Sequence, residues 1–248
     1  MRECRRIALR YFARPGRVEL KPDRSPVTVA DRVIEERLRR AIARAFPGEA
    51  IIGEEFGSPA HAPRSYWTID PIDGTRAFSR GLPTWGMLVE WVQEGRPVLG
   101  ACDYPALDTF LGAGPGVAAY ERCEGRRTRL RRAPAPPPLA RAVIFHGGSS
   151  WWAPTRYRAG FQRVVQRCFL ERAYGDCAGY LWLFRGGADA VLDYGVKVWD
   201  MAPLAALAHA TGRLMTDCNG QANFTGPGTI LAHPVMVRRI VTTLHSPA

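Results

Sequence analysis

Two aspartates three residues apart, Asp70 and Asp73, follow a short apolar run in the stretch Trp67-Thr-Ile-Asp-Pro-Ile-Asp-Gly-Thr-Arg-Ala-Phe78. No other stretch constrains this chain as strongly. The run Tyr66 to Ile69 reads as a buried strand. Gly74 and Thr75 come next, where a turn or a helix start is expected. Carboxylates at a strand end suit hard divalent cations, which bind through oxygen. Free N–H groups on Gly74 and Thr75 suit phosphate oxygens, as helix N-termini do. A surface Asp-Pro turn with an aspartate cap would look the same in this stretch alone, so the rest of the chain has to decide.

The chain has 248 residues, enough for a sizeable core in one large domain or two closely joined ones. Its net charge is +11, with 34 Lys and Arg against 23 Asp and Glu. That excess is mostly arginine spread along the chain, and the densest group, Arg126 to Arg132, has no interleaved aromatics. Steering of anionic substrates accounts for it more simply than a dedicated nucleic-acid role. Six cysteines stand singly, with no Cys-x-x-Cys pair and no zinc spacing, which reads as reduced thiols in a cytoplasmic protein. The N-terminus has no apolar signal core, and no run approaches the roughly 18 apolar residues of a membrane span.

In chain order, Arg2 to Ala13 reads as a helix, Gly16 as a turn and Val18 to Lys21 as a short strand. Ser25 to Asp31 leads into a helix that Pro47-Gly48 ends. Its face of Arg32, Glu35, Glu36, Arg39 and Arg40 reads as solvated. Ala50 to Phe56 is a second apolar run ending in acids, Glu54 and Glu55. Two strand ends delivering carboxylates to one place is what a multi-metal site requires. Trp85–Val92 and Pro97–Tyr104 read as paired strands around Glu94-Gly-Arg96, with Thr109–Ala113 as a third. The Pro-rich stretch Arg131 to Pro138 reads as a boundary, giving expected subdomains of 1–135 (α+β) and 136–248 (α/β). Beyond it come the strand Ala142–Phe145, a helix over Tyr157–Cys168, a small-residue turn over Arg172–Tyr180 and the helix Tyr180–Arg185. The strand Ala188–Asp193 precedes a helix with Asp200 at its head, where the helix dipole favours a carboxylate. Strands at Leu214–Asp217 and Thr229–Ala232 and a helix over Val235–Leu244 complete an α/β (α+β) pattern.

With Gly53-Glu54-Glu55, Asp70-Pro-Ile-Asp-Gly-Thr75 and Trp199-Asp200 in this order, the chain resembles the inositol monophosphatase-like family of metal-dependent phosphatases. The likeness also takes in Ser25–Asp31 and Gly175–Tyr180. Arg76-Ala-Phe78, Gly81 to Gly86 and Gly175-Asp-Cys177 most resemble the bacterial histidinol-phosphate phosphatase branch. The resemblance implies a layered α/β/α/β/α fold and a homodimer. It also implies two or three Mg²⁺ ions held by Glu54, Asp70, the Ile72 carbonyl, Asp73 and Asp200.

On the same resemblance, Glu54 and Thr75 orient and deprotonate the attacking water, with Asp70 counted among the catalytic residues. Asp73, Gly74 and Thr75 meet the phosphate, and Asp176 the alcohol. L-histidinol phosphate is the implied substrate, with inositol 1-phosphate, sugar phosphates and nucleotide 3′-phosphates as rivals. A non-catalytic protein binding anions or RNA is the rival from another class.

Several neighbours stay ambiguous at this level. Asp31 and Lys21 match positions near a third metal and the phosphate, but Asp31 also suits a helix cap. Glu55 reads as a salt-bridge partner, and His146, His209 and His233 as structural or surface residues. Trp151 and Trp152 sit in a Gly/Ser-rich loop and could line a pocket, although core packing or a dimer contact is the simpler reading. Met1 falls inside the family's first helix.

Overall fold

The computed structural model describes residues 1–13, 18–21, 26–59 and 63–247. The expected turn at Gly16 and the residue Ser25 lie outside these. Helix α1 (Arg2–Ala13) and the two-residue strands β1 (Glu19–Leu20) and β2 (Pro26–Val27) lead to helix α2 (Val29–Ala45). Thr28 caps α2 in a capping box with Asp31, so the cap reading of Asp31 holds.

A seven-stranded sheet follows, in spatial order β3 (Ile51–Gly53), β4 (Tyr66–Asp73), β5 (Gly86–Gln93), β6 (Arg96–Tyr104), β7 (Thr109–Gly114), β8 (Val117–Cys123) and β9 (Arg126–Arg129). Only the β3–β4 pair is parallel. Helix α3 (Thr75–Ser79) interrupts the run between β4 and β5. The hairpin turns at Glu94-Gly95 and Glu124-Gly125 have both residues at positive φ, which matches the twist of two-residue hairpins.

A second sheet has five strands, β11 (Leu170–Arg172), β10 (Val143–His146), β12 (Ala190–Tyr194), β14 (Gly228–Ala232) and β13 (Leu214–Thr216), in that spatial order. Helices α4 (Ser149–Trp152), α5 (Arg158–Arg167), α6 (Asp176–Arg185), α7 (Val198–Ala210) and α8 (Pro234–His245) accompany it.

Side-chain parity builds the layers, because alternate residues of a strand face opposite sides. Trp67, Ile69, Met87 and Val89 pack on α1 and α2 through Ala8, Ile34 and Leu38. The opposite parity, with Leu88, Cys102 and Leu111, packs on α6 and α7 through Leu181, Leu204 and Leu207. Phe145, Val191 and Leu231 of the second sheet join that same cluster. Ile144, Leu192 and Ile230 face the other way, onto Phe161, Met236 and Ile240. The expected α/β/α/β/α layering is therefore present. α7 is apolar nearly all round, as a helix between two sheets must be. It lies so close to β6 that a Cβ at Gly100 would collide with the Pro203 carbonyl.

Four local expectations fail. The strand expected to stop at Ile69 runs on through Pro71 to Asp73, with a register shift between Asp70 and Asp73. The strand expected over Ala50–Phe56 stops at Gly53, and Glu54 to Phe56 form a turn. Helix α6 starts at Asp176, four residues before the expected Tyr180, so the small-residue turn is shorter. β8 and β9 were not expected at all. The arginines of β9 look like a solvated run, yet cross-strand pairing needs no apolar side chains at an edge.

The supposed solvated face of α2 is also wrong at one residue. Glu35 is fully buried. Its carboxylate accepts from the Glu55 and Phe56 N–H groups at 2.7 and 3.2 Å and pairs with Arg39 at 2.8 Å. A Cβ at Gly53 would strike it, so glycine there is a matter of room.

Candidate active site

The eight predicted site residues, Glu54, Asp70, Ile72, Asp73, Gly74, Thr75, Asp176 and Asp200, all line one cleft of about 650 Å³. It opens where the ends of β3 and β4 meet the N-termini of α3, α6 and α7. Asp70, Asp73 and Asp200 each present a carboxylate oxygen, and these lie within 4.8 Å of one another. Glu54 stands apart from that trio, because its Oε1 takes the Lys21 ammonium at 2.8 Å. Lys21 also holds Glu55 at 2.6 Å, as the salt-bridge reading of Glu55 expects.

Local structure aims each group. The bulge in β4 turns Asp70 and Asp73 toward the same cleft, and Asp70 Oδ1 accepts the Ile72 N–H at 2.9 Å. Gly74 caps α3 at φ +89°, and a Cβ there would meet the Thr84 carbonyl at 3.0 Å and Asp176 Oδ2 at 3.2 Å. Backbone angle and space both require glycine. The Thr75 hydroxyl is within reach of the Ile72 carbonyl at 2.9 Å and Asp31 Oδ1 at 3.3 Å. Asp200 closes the first turn of α7, its Oδ2 accepting the Lys197 N–H at 2.8 Å. Asp176 adopts φ +56°, a conformation that aspartate tolerates better than most residues and that tends to occur at functional sites.

The electrostatics show which group the site suits. Burial raises Asp70 well above the ordinary carboxylate range, and the charges of Glu54, Asp73 and Asp200 raise it further. Asp73 is raised in the same way, by burial and then by Asp176 and Asp200. Burial carries Asp200 to about 7 despite the Lys197 N–H, and Asp176 also rises despite Arg76. Asp31 rises by burial to about 6 and Glu55 to about 7. Burial alone would lower Lys21, but its bonds to Glu54 and Glu55 outweigh that and raise it. Like charges this close cannot all ionise without a cation among them. The donors are all oxygen, which suits a hard divalent ion and not a soft one. The residues present therefore fit a metal.

Sequence reading missed part of the cleft. Trp151, for which core packing or a dimer contact was preferred over a pocket wall, takes the alternative: it lines the cleft and is 45% exposed, with Arg76 stacked 5.6 Å from its ring. Its neighbour Trp152 is in the core, as expected. Gly195 lies against the Trp151 ring, and Lys197 adds a cation to the wall. Nothing in the spacing of Gly195 and Lys197 marks them, since the loop after β12 meets Trp151 of α4 only in the fold. His146 is buried against Glu171 at 2.7 Å, and His233 caps α8, both structural as expected.

Carboxylates that need a cation, set beside a glycine turn with free N–H groups, define a hydrolase for phosphate esters that works with metal. Residues 2–246 match the model of the inositol monophosphatase family, and the chain belongs to that family. A Mycobacterium tuberculosis relative named histidinol-phosphatase is 31% identical, covering 96% of this chain and 92% of its own. A Mycobacterium bovis relative named inositol-1-monophosphatase is 30% identical, covering 88% of this chain and 78% of its own. The solved Thermotoga maritima IMPase superposes with a TM-score of 0.84 at 25% identity, covering 98% of this chain and 93% of that one. The family is one of metal-dependent phosphatases that hydrolyse phosphate monoesters. Membership favours the enzyme over the non-catalytic anion- or RNA-binding protein. No helix among the described residues is long and apolar enough to cross a membrane.

Proposed function

We propose that the chain is a Mg²⁺-dependent phosphomonoesterase acting on L-histidinol phosphate. The trio of Asp70, Asp73 and Asp200 oxygens within 4.8 Å supports the metal-dependent part. Glu54, Asp70, the Ile72 carbonyl, Asp73 and Asp200 would hold two or three Mg²⁺ ions, which neutralise phosphate charge and lower the pKa of the attacking water. Thr75, held by Asp31 and the Ile72 carbonyl, orients that water, and Glu54 takes its proton. The Gly74 and Thr75 N–H groups hold the phosphate at the start of α3. In this reading residues 1–135 carry most ligands, and residues 136–248 bring Asp200 and the substrate-side Asp176.

Trp151 carries the choice of alcohol. Its ring offers a flat apolar wall for an imidazole, and the Asp176 carboxylate offers a partner for an ammonium group. An inositol ring has neither an aromatic face nor a positive charge. The name of the Mycobacterium tuberculosis relative supports the same choice. A panel of phosphomonoesters assayed with Mg²⁺ tests it. L-histidinol phosphate should give the highest kcat/KM, and Trp151→Ala should raise its KM about tenfold while glycerol 2-phosphate, whose alcohol has no ring, changes little. Faster turnover of inositol 1-phosphate, a sugar phosphate or a nucleotide 3′-phosphate would replace the substrate.

A cytoplasmic homodimer completes the proposal. Exposed Leu82 and Tyr174 border one shallow recess that a second copy could cover. Sedimentation should give twice the chain mass.

A further inference from the structure

The arginine-rich run from Arg126 to Arg132 has no part in the proposed phosphatase site, but the fold does not leave it isolated. After β9 the chain passes through buried Leu130, and the Ala133 N–H donates to the Thr211 carbonyl at 2.8 Å. That bond sets Arg132 against the turn that ends α7. Its guanidinium lies over Gly212, where a Cβ would come within 2.9 Å of Nη2.

The next residue, Arg213, is only 8% exposed. Its guanidinium lies 5.4 Å from the Phe184 ring, and Nη2 donates to the Leu183 carbonyl at 3.0 Å. Nη1 is buried and has no partner among the described residues.

A cleft of about 550 Å³ opens between these groups, a volume suited to a small ligand. Arg129, Arg131, Arg132, Arg185 and Arg213 line it, with Glu121 as its acid. Glu121 is already taken by Arg185 at 2.6 Å. Among the described residues, no carboxylate pairs with the other four arginines. The C-terminus of α7 draws cations, but four exceed what one helix end accounts for. Burial lowers Arg213 to about 10, so it stays charged at neutral pH. A buried guanidinium with an unpartnered Nη1 is costly, and an anion placed nearby offsets that cost. Arginine forks match phosphate oxygens in geometry as well as charge.

We infer that this cleft is a second ligand site, for a small phosphate-bearing anion, separate from the cleft that holds Asp70, Asp73 and Asp200. It lies at the far end of α7 from Asp200, about 15 Å away along the helix. Its arginines gather around one cleft instead of running in a long stripe, which fits a metabolite-sized anion rather than a nucleic-acid strand. The proposal needs no assumption about which ester the active cleft hydrolyses.

Equilibrium dialysis of the Mg²⁺-supplemented protein with labelled inorganic phosphate, at fixed ionic strength, tests it. Wild type should bind one more phosphate per chain than Arg129→Ser/Arg132→Ser, whose two side chains are exposed and dispensable for folding. Phosphatase kcat should stay within about twofold in that variant, since neither residue touches the active cleft. Arg213→Met should lose the same class of phosphate. If it fails to fold, the double variant decides alone. Asp73→Asn should keep this class and lose the active-cleft one, which separates failure here from failure of the proposed function. Identical isotherms for wild type and the double variant would overturn the site. A single-stranded RNA that displaced phosphate at much lower concentration would overturn the small-ligand assignment.

Discussion

Glu35 tests whether the turn carrying Glu54 is held from behind. The carboxylate is fully buried, accepts two backbone N–H groups from that turn and pairs with Arg39. Arg39 in turn reaches the Gly57 carbonyl at 2.8 Å. Glu35→Ala therefore leaves two N–H groups and a half-buried guanidinium without their partner. Hydrogen bonds to charged groups contribute about 1.5–3 kcal/mol each, and breaking a buried ion pair from one side costs about 3–5 kcal/mol. These overlap, so the expected loss is about 3–5 kcal/mol in all. For a chain of this size that lowers Tm by roughly 6–20 °C. Glu35→Gln keeps one acceptor oxygen and should lose about half as much. The activity readout is sharper. A turn released by even 1 Å misplaces Glu54, which can cost about a hundredfold in kcat. Urea denaturation and steady-state kinetics on the same preparations measure both. A Glu35→Ala protein within about 0.5 kcal/mol of wild type, with normal kcat, would refute the reasoning, because it would show that the turn holds itself.

Other outcomes follow from the same structure. Asp73→Asn should lower kcat more than about a hundredfold and weaken Mg²⁺ binding, measured by activity against metal concentration, and near-normal activity would remove Asp73 from the ligand set. Burial raises Asp193 to about 8, against about 3.9 unfolded, so its folded form favours the proton. Its contribution to stability is therefore fully present below about pH 4 and fades as pH climbs through 8, and the slope of Tm against pH should flatten in Asp193→Asn. Glu90 is fully buried on β5, and both carboxylate oxygens lack partners among the described residues. Burial raises it well above the usual range. Glu90→Leu should stabilise the protein by about 1–3 kcal/mol at pH 8, and a destabilised variant would mean that the carboxyl has a partner.

Much of the active cleft was legible because its residues are consecutive or sit at element ends. Asp70 to Thr75 carry their chemistry within six positions, and Asp200 announces itself at a helix head. Gly195 and Lys197 were not legible, and Trp151 was legible only as the less favoured pocket reading, since they reach the cleft only when α4 and the loop after β12 converge. Glu35 was misread for a related reason. Periodicity places it among charged neighbours, while its burial depends on the turn after β3, which no helical wheel contains. The continuation of β4 through Pro71 was missed because proline argues against strands. It is tolerated here at the register shift, where the ladder is already broken. Arginines hid β9, whose pairing at the sheet edge owes little to apolar side chains.

The position of α7 has a consequence for synthesis. The seven-stranded sheet can be complete once Arg129 has left the ribosome, yet Leu88, Cys102 and Leu111 stay bare until Leu204 and Leu207 arrive. About 75 residues separate those events, which at about 5–20 residues per second is roughly 4–15 s of exposed apolar surface. Truncated products ending before Val198 should therefore be adhesive species that recruit chaperones, not inert half-enzymes, and on the proposed ligand set they would lack Asp200 as well.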